Sequence, residues 1–248
     1  LLIAAITLAV TLPFANKAFH IDDPTVLDTA SHILSTPAKP YNFDYNWMGA
    51  RVPMSEVRMH PPLQEYFAAF LILITGGTNE IIFHIIFAVF PLILAYSCYF
   101  LTKRFSSCPL FATLLIMLSP AVMVNSHNVM NDIPSLALFT AGVAIYVYGA
   151  DNKNKTALLI SALPIFCAMG ITYQAFAIIP LLFIYSCLKK RMSFITILPL
   201  LIASGLILLF LTFVSISSDN SLFSGIIKNF GKTGGFHISN IQGKTIAF

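Results

Sequence analysis

Charge is the scarcest property of this sequence. Asp, Glu, Lys and Arg together make up 10% of its 248 residues, where a water-soluble domain carries about a quarter. A surface with so few charges cannot mostly face water, and that excludes an ordinary soluble domain. Cysteine is also sparse. Cys98, Cys108, Cys167 and Cys187 lie in or beside apolar runs without paired spacing, so they read as buried free thiols rather than metal ligands. The net charge of +4 does not form a basic face of the kind that binds nucleic acid, because its lysines and arginines fall in short segments between apolar runs.

What the sequence has in excess is apolar residues, 57% of the chain, with 22 phenylalanines. They recur in blocks near the roughly 20 residues that cross a bilayer core of about 30 Å. The runs are Leu1–Phe14, Leu63–Ile74, Ile81–Leu101, Leu110–Val124, Ile133–Tyr148, Ala157–Met169, Ala175–Leu188 and Phe194–Val214. The second, flanked by Pro61-Pro62 and Gly76-Gly77, is too short to cross and reads as a re-entrant or interfacial helix over 63–75. The expected fold is therefore an all-α polytopic helical bundle of about seven transmembrane helices. Residues 15–62 and 215–248 form its two sizeable outer loops. Since the chain opens inside a hydrophobic run, it reads as the N-terminal part (1–248) of a larger membrane domain.

With seven spans, Lys103-Arg104, Lys153/Lys155 and Lys189-Lys190-Arg191 share one side, which the positive-inside rule makes cytoplasmic. Nine of the ten acids then fall on or near the outer side, with Asp151 as the exception. Two apparent motifs carry no weight. Gly225 to Gly231-Lys232-Thr233 has five intervening residues where a phosphate loop has four. The sequon Asn154-Lys155-Thr156 lies on the cytoplasmic side.

The first outer loop is long for a membrane bundle, and loops of that length are usually functional. Asp23-Pro24 reads as a helix cap with proline at the first helical position. Val26, Leu27, Ala30, Ile33 and Leu34 share one face of the helix that follows. That face is expected to lie down on the membrane. One acid suffices for the cap, which leaves Asp22 at the lipid boundary as a candidate general base with a tunable pKa. Tyr41-Asn42-Phe43-Asp44-Tyr45-Asn46-Trp47 reads either as an interfacial aromatic belt or as a sugar platform. Arg58 and His60 serve either as phosphate contacts or as ordinary interfacial charges. Asp132, in Asn131-Asp132-Ile133-Pro134, has a capping role open to it, yet an acid beside a membrane helix also points to function.

In this order the motifs resemble the GT-C superfamily of membrane glycosyltransferases, in its bacterial protein-O-mannosyltransferase-like branch. Asp22-Asp23 resembles that family's acidic pair after the first span. Tyr41 to Trp47, Pro53-Met54-x-Glu56 and His60-Pro61-Pro62-Leu63-x-x-Tyr66 look like the rest of its first loop. Val129 to Pro134 is similar to its second acidic loop, and Ile171 to Ala175 to a further outer turn. The likeness covers roughly residues 14–190. It departs from the family at Asp23, where Glu is usual, and at His60, where Asn or Lys is.

The resemblance implies a polyprenyl-phosphate sugar donor, membrane lipid around it, and inverting transfer to an acceptor hydroxyl that the sequence leaves unspecified. The reaction would take place on the outer (periplasmic or extracellular) face of the plasma membrane. Asp22 would be the base, with Asp23 and Asp132 as its acidic partners and Arg58 and His60 on the leaving phosphate. Tyr41, Asn46, Trp47, Glu56, Tyr173 and Gln174 would contact sugar or acceptor. The helices from Pro24 and Leu63 would wall the cleft. A divalent cation held by Asp22, Asp23 and Asp132 stays open. So do two other classes, a transporter or flippase of a lipid-linked glycan and a non-catalytic membrane scaffold.

Overall fold

The computed structural model describes residues 1–217 and is mostly helical. The second outer loop beyond Ser217 and the Gly225–Thr233 segment lie outside the described residues. Among those described, three helices are long and apolar enough to cross a membrane: Glu80–Phe105, Asp132–Asp151 and Phe194–Ile216. Four shorter apolar helices accompany them: Leu2–Phe14, Leu63–Thr75, Lys155–Ile171 and Tyr173–Leu188. Counted by length, then, the expected seven spans become three. The sharpest loss is the run Leu110–Val124, which breaks at Leu118-Ser119 into α7 (Pro109–Met117) and α8 (Pro120–Asn125). Pro120 opens the second piece, and the residue before a proline is pushed out of helical geometry.

The centre of the bundle is α9 (Asp132–Asp151), packed on one side against α6 (Val89–Phe105) and on the other against α10 (Lys155–Ile171). Asn154 caps α10 by accepting from the Ala157 N–H at 3.0 Å, so the apparent sequon has a structural use. The turn brings α9 and α10 close enough that a Cβ on Gly149 would stand 2.8 Å from the Leu158 nitrogen. Only glycine fits there without displacing backbone. Tyr146, Ile165, Met169, Ile178 and Ile207 join α9 and α10 to α11 (Ile178–Leu188) and α12 (Phe194–Ser217) in one core. A second core, including Ile3, Leu94, Cys98 and Ile133, joins α1 (Leu2–Thr11) to α6–α9. Cys98 is buried as expected, but Cys108 and Cys187 are exposed, because they stand at helix ends.

The segment expected as the first outer loop is a folded layer. Its helix α2 (Asp23–Ser35) buries Val26, Leu27, Ala30 and Ile33 against α4 (Leu63–Thr75) and α5 (Glu80–Phe87). The apolar face expected to lie on lipid is instead covered by protein, and only Leu34 of the five stays exposed. The chain enters α4 after Pro61-Pro62 and leaves it at Gly76, whose φ of +76° ends the helix in the left-handed region. Between α2 and α4 the chain forms a hairpin, β1 (Asp44–Trp47) with β2 (Ala50–Pro53), followed by the single helical turn α3 (Met54–Val57). Met48 and Gly49 both have positive φ, +54° and +86°, the geometry that matches hairpin twist. The strands are an addition to the all-α expectation. Tyr41 and Met54 seat this segment against Val214 of α12.

Candidate functional site

The two ends of α9 carry different chemistry. At its C-terminal end Arg104 Nε donates to Asp151 at 2.7 Å, Tyr185 donates to the other Asp151 oxygen at 2.9 Å, and Arg191 donates to the Ala150 carbonyl at 3.2 Å. The basic segments after α6 and α11 therefore converge on one end of the bundle. At the other end, about 30 Å away along 20 helical residues, an open cleft of about 560 Å³ is lined by Asp22, Arg58, His60, Asn131, Asp132 and Gln174. Leu136 and Phe139 of α9 continue its wall downward along the helix.

Each of these side chains is placed by a local feature. Ile21 adopts φ +57°, a costly conformation for a β-branched residue, and turns the chain into α2. Asp22 takes the N-cap position of that helix, not Asp23 as the sequence suggests, yet its carboxylate makes no capping bond. Thr25 Oγ1 instead donates to the Asp22 carbonyl at 2.7 Å. Asp23 is fully buried and acts as a tether, accepting from the Val129 N–H at 2.8 Å and the His20 N–H at 3.3 Å. Burial pushes the Asp23 carboxyl above its ordinary pKa, against the opposing pull of those two N–H donors.

Arg58 follows α3 and is buried. Its Nε and Nη2 both donate to one oxygen of Glu65, the former at 3.1 Å, and Nη2 also donates to Asn131 Oδ1 at 2.8 Å. Burial alone would lower the Arg58 pKa; Glu65 and Tyr41 beside it more than offset that and raise it. Because Glu65 balances its charge, Arg58 brings directed N–H donors to the cleft rather than a free positive charge. Burial lowers the His60 pKa, and the Arg58 charge lowers it further. The ring is therefore neutral at pH 7. The Tyr41 hydroxyl donates to the His60 carbonyl at 2.9 Å, which fixes the backbone there. On the facing side, Asn131 Nδ2 donates to the Ile171 carbonyl at 3.4 Å, and Ser135 and Thr172 share a hydrogen bond of 2.7 Å.

Of the residues singled out from the sequence, Asp22, Asp132, Arg58, His60 and Gln174 thus come together in one cleft. Asp23 is behind it. Tyr41 is buried beneath it, with its phenol pKa raised well above the ordinary value by burial and then by Glu65. Asn46, Trp47 and Glu56 are exposed on the hairpin and the turn after it, and Tyr173 stands beside the cleft without lining it. The helices α2 and α4 hold up the walls but do not form them; the residues just before each of them do, together with α9 and the segment after α10. With Asp23 turned away, no group of three His, Cys, Asp or Glu side chains among the described residues is arranged to hold a metal ion.

Glu65 and Asn131 are the partners that sequence reasoning passed over. The signal for Glu65 was present, an acid in the first turn of an apolar helix. Compared with family models, curated proteins and solved structures, the chain finds no match, so its likeness to a family rests on the motifs quoted above.

Proposed function

We propose that this protein is a membrane glycosyltransferase that moves a sugar from a polyprenyl-phosphate donor to an acceptor hydroxyl, with inversion, at the cleft end of the bundle. One observation carries the reading. Asp22 stands at a helix N-terminus without capping it, and faces a cleft that also holds Asp132 and the Arg58 edge. An uncommitted carboxylate beside fixed N–H donors is what proton removal coupled to phosphate departure needs.

In this reading the Asp22 carboxylate takes the acceptor O–H proton as that oxygen attacks the anomeric carbon. The bond from that carbon to the phosphate oxygen breaks, and its electron pair leaves on the lipid phosphate. Arg58 and His60 donate hydrogen bonds to the departing phosphate, and Asp132 orients the acceptor. Phe139 and Leu136 offer an apolar approach for the polyprenyl chain.

The same reading takes the cleft end as the outer face, since the basic segments gather at the far end. Lys155–Ile171, at 17 residues, reaches the lower limit of spanning length, and Leu2–Phe14 and Tyr173–Leu188 would cross only a thinned bilayer. The layer of α2 and α4 is then interfacial.

The test is release of lipid phosphate from a radiolabelled polyprenyl-phosphate sugar in membranes that contain the protein. The Asp22→Asn variant, at equal expression, is expected to lose about 10²–10⁴-fold in rate. Equal rates would remove Asp22 as the base. No release with any donor, together with donor-independent movement of a lipid-linked glycan across the bilayer, would favour a transporter.

A further inference from the structure

The far end of the bundle carries a feature that the cleft does not use. Along α6, Val89, Ile93, Tyr96 and Phe100 recur at helical spacing and face Ala141, Ala144 and Tyr148 of α9 across a groove of about 620 Å³. The small side chains of Ala141 and Ala144 give it depth. Phe100, Tyr96 and Tyr148 are largely exposed at its rim. Both helices are among the three long enough to cross a membrane, so the groove runs lengthwise through the apolar depth. From Val89 to Phe100 it extends about 16 Å at helical rise.

This groove does not end blindly. Phe100, Ala144 and Tyr148 are shared with a second cavity of about 270 Å³, lined also by Lys103, Arg104, Asp151 and Asn152. The polar cavity holds two cations and one anion. Asp151 is already engaged through both oxygens, by Arg104 and by Tyr185, so one positive charge is left over. An apolar slot that opens into a pocket with one surplus positive charge matches a molecule with a long chain and a single negative headgroup.

We propose that the α6–α9 groove is a binding site for an anionic phospholipid of the leaflet at the basic end of the bundle. Its phosphate lies against Lys103 and Arg104, and one acyl chain runs up the groove past Ala144. The inference does not rest on the glycosyltransferase reading, because none of its residues lines the cleft. A second copy of this chain, or another apolar helix, would fill the slot but leave the surplus charge unmatched.

The test is to purify the protein from mixed vesicles of phosphatidylglycerol and phosphatidylcholine in mild detergent and measure the retained lipid by native mass spectrometry. Phosphatidylglycerol is expected to be enriched about fivefold over phosphatidylcholine, in line with one surplus basic residue at the headgroup. The double variant Lys103→Gln/Arg104→Gln is expected to lose that preference. Ala144→Phe, which leaves every charge in place, is expected to lose the retained lipid itself; a melting temperature equal to the wild type's confirms that it folds. Three results would overturn the proposal: equal retention of both lipids, anionic retention unchanged in both variants, or a dimer of this chain that Ala144→Phe dissolves. Glycerol phosphate retained in the same spectra as strongly as the whole lipid would also refute it, since the groove would then add nothing.

Discussion

Replacing Glu65 with leucine should be among the most damaging single changes in the protein, although Glu65 touches no solvent. Glu65 is fully buried and Arg58 nearly so, and two guanidinium nitrogens converge on one Glu65 oxygen. Glu65→Leu leaves the guanidinium in place with Asn131 as its remaining partner. Breaking a buried pair by removing one member costs about 3–5 kcal/mol, because the other charge stays desolvated. The double variant Arg58→Met/Glu65→Leu removes both charges and fills the space with apolar atoms of similar size. Such exchanges are near neutral or stabilising.

The assay is thermal unfolding in detergent, followed by circular dichroism. The single variant is expected to melt about 6–20 °C below wild type, at roughly 2–4 °C per kcal/mol for a chain of this size. The double variant should melt within a few degrees of wild type on the same scale. Lowering the pH should not rescue the single variant, since arginine keeps its charge. A single variant that melts with wild type, or a double variant as unstable as the single, would refute the reasoning.

At Asp23, asparagine keeps an oxygen for the Val129 N–H and removes a buried charge. Asp23→Asn should therefore hold or raise stability, whereas Asp23→Ala should cost about 1–3 kcal/mol for the orphaned donors; equal loss in urea unfolding would sink the tether assignment. At His60 the folded pKa is lowered, so the unfolded chain takes up a proton first as pH falls. Stability present above about pH 6.5 is then lost as pH drops from there toward the lower folded value. His60→Gln should flatten that part of the stability profile, and an unchanged slope would show that His60 is not its source.

The sequence was most informative where one residue's chemistry decides its role. The scarcity of charge pointed to a membrane bundle, and three helices of spanning length are present. The surplus acid of the Asp22-Asp23 pair was also legible, although the positions are exchanged: Asp22 takes the cap position without capping, and Asp23 is the buried one. Partnerships across long separations were not legible. Asp23 meets Val129 over 106 residues, and Arg58 meets Asn131 over 73; no local periodicity encodes either. The hairpin escaped notice because its turn is Met48-Gly49, without the Asn-Gly or Asp-Gly pair that signals such turns. The apolar stripe of α2 was read correctly as a stripe, but what covers it, α4, is named only by the tertiary fold.

The bond from the Val129 N–H to Asp23 has a mechanical meaning. Asp22 precedes one of its partners by a single residue, and Asp132 follows the other by three. The cleft's two acids therefore ride on two jaws that this 2.8 Å rivet holds together, with the Lys17–Asn128 hydrogen bond as a second tie between the same segments. Neither jaw can drift without straining that rivet, and buried backbone hydrogen bonds tolerate little stretching. The width of the gap between the jaws is thus set from behind, by a residue that does not line it.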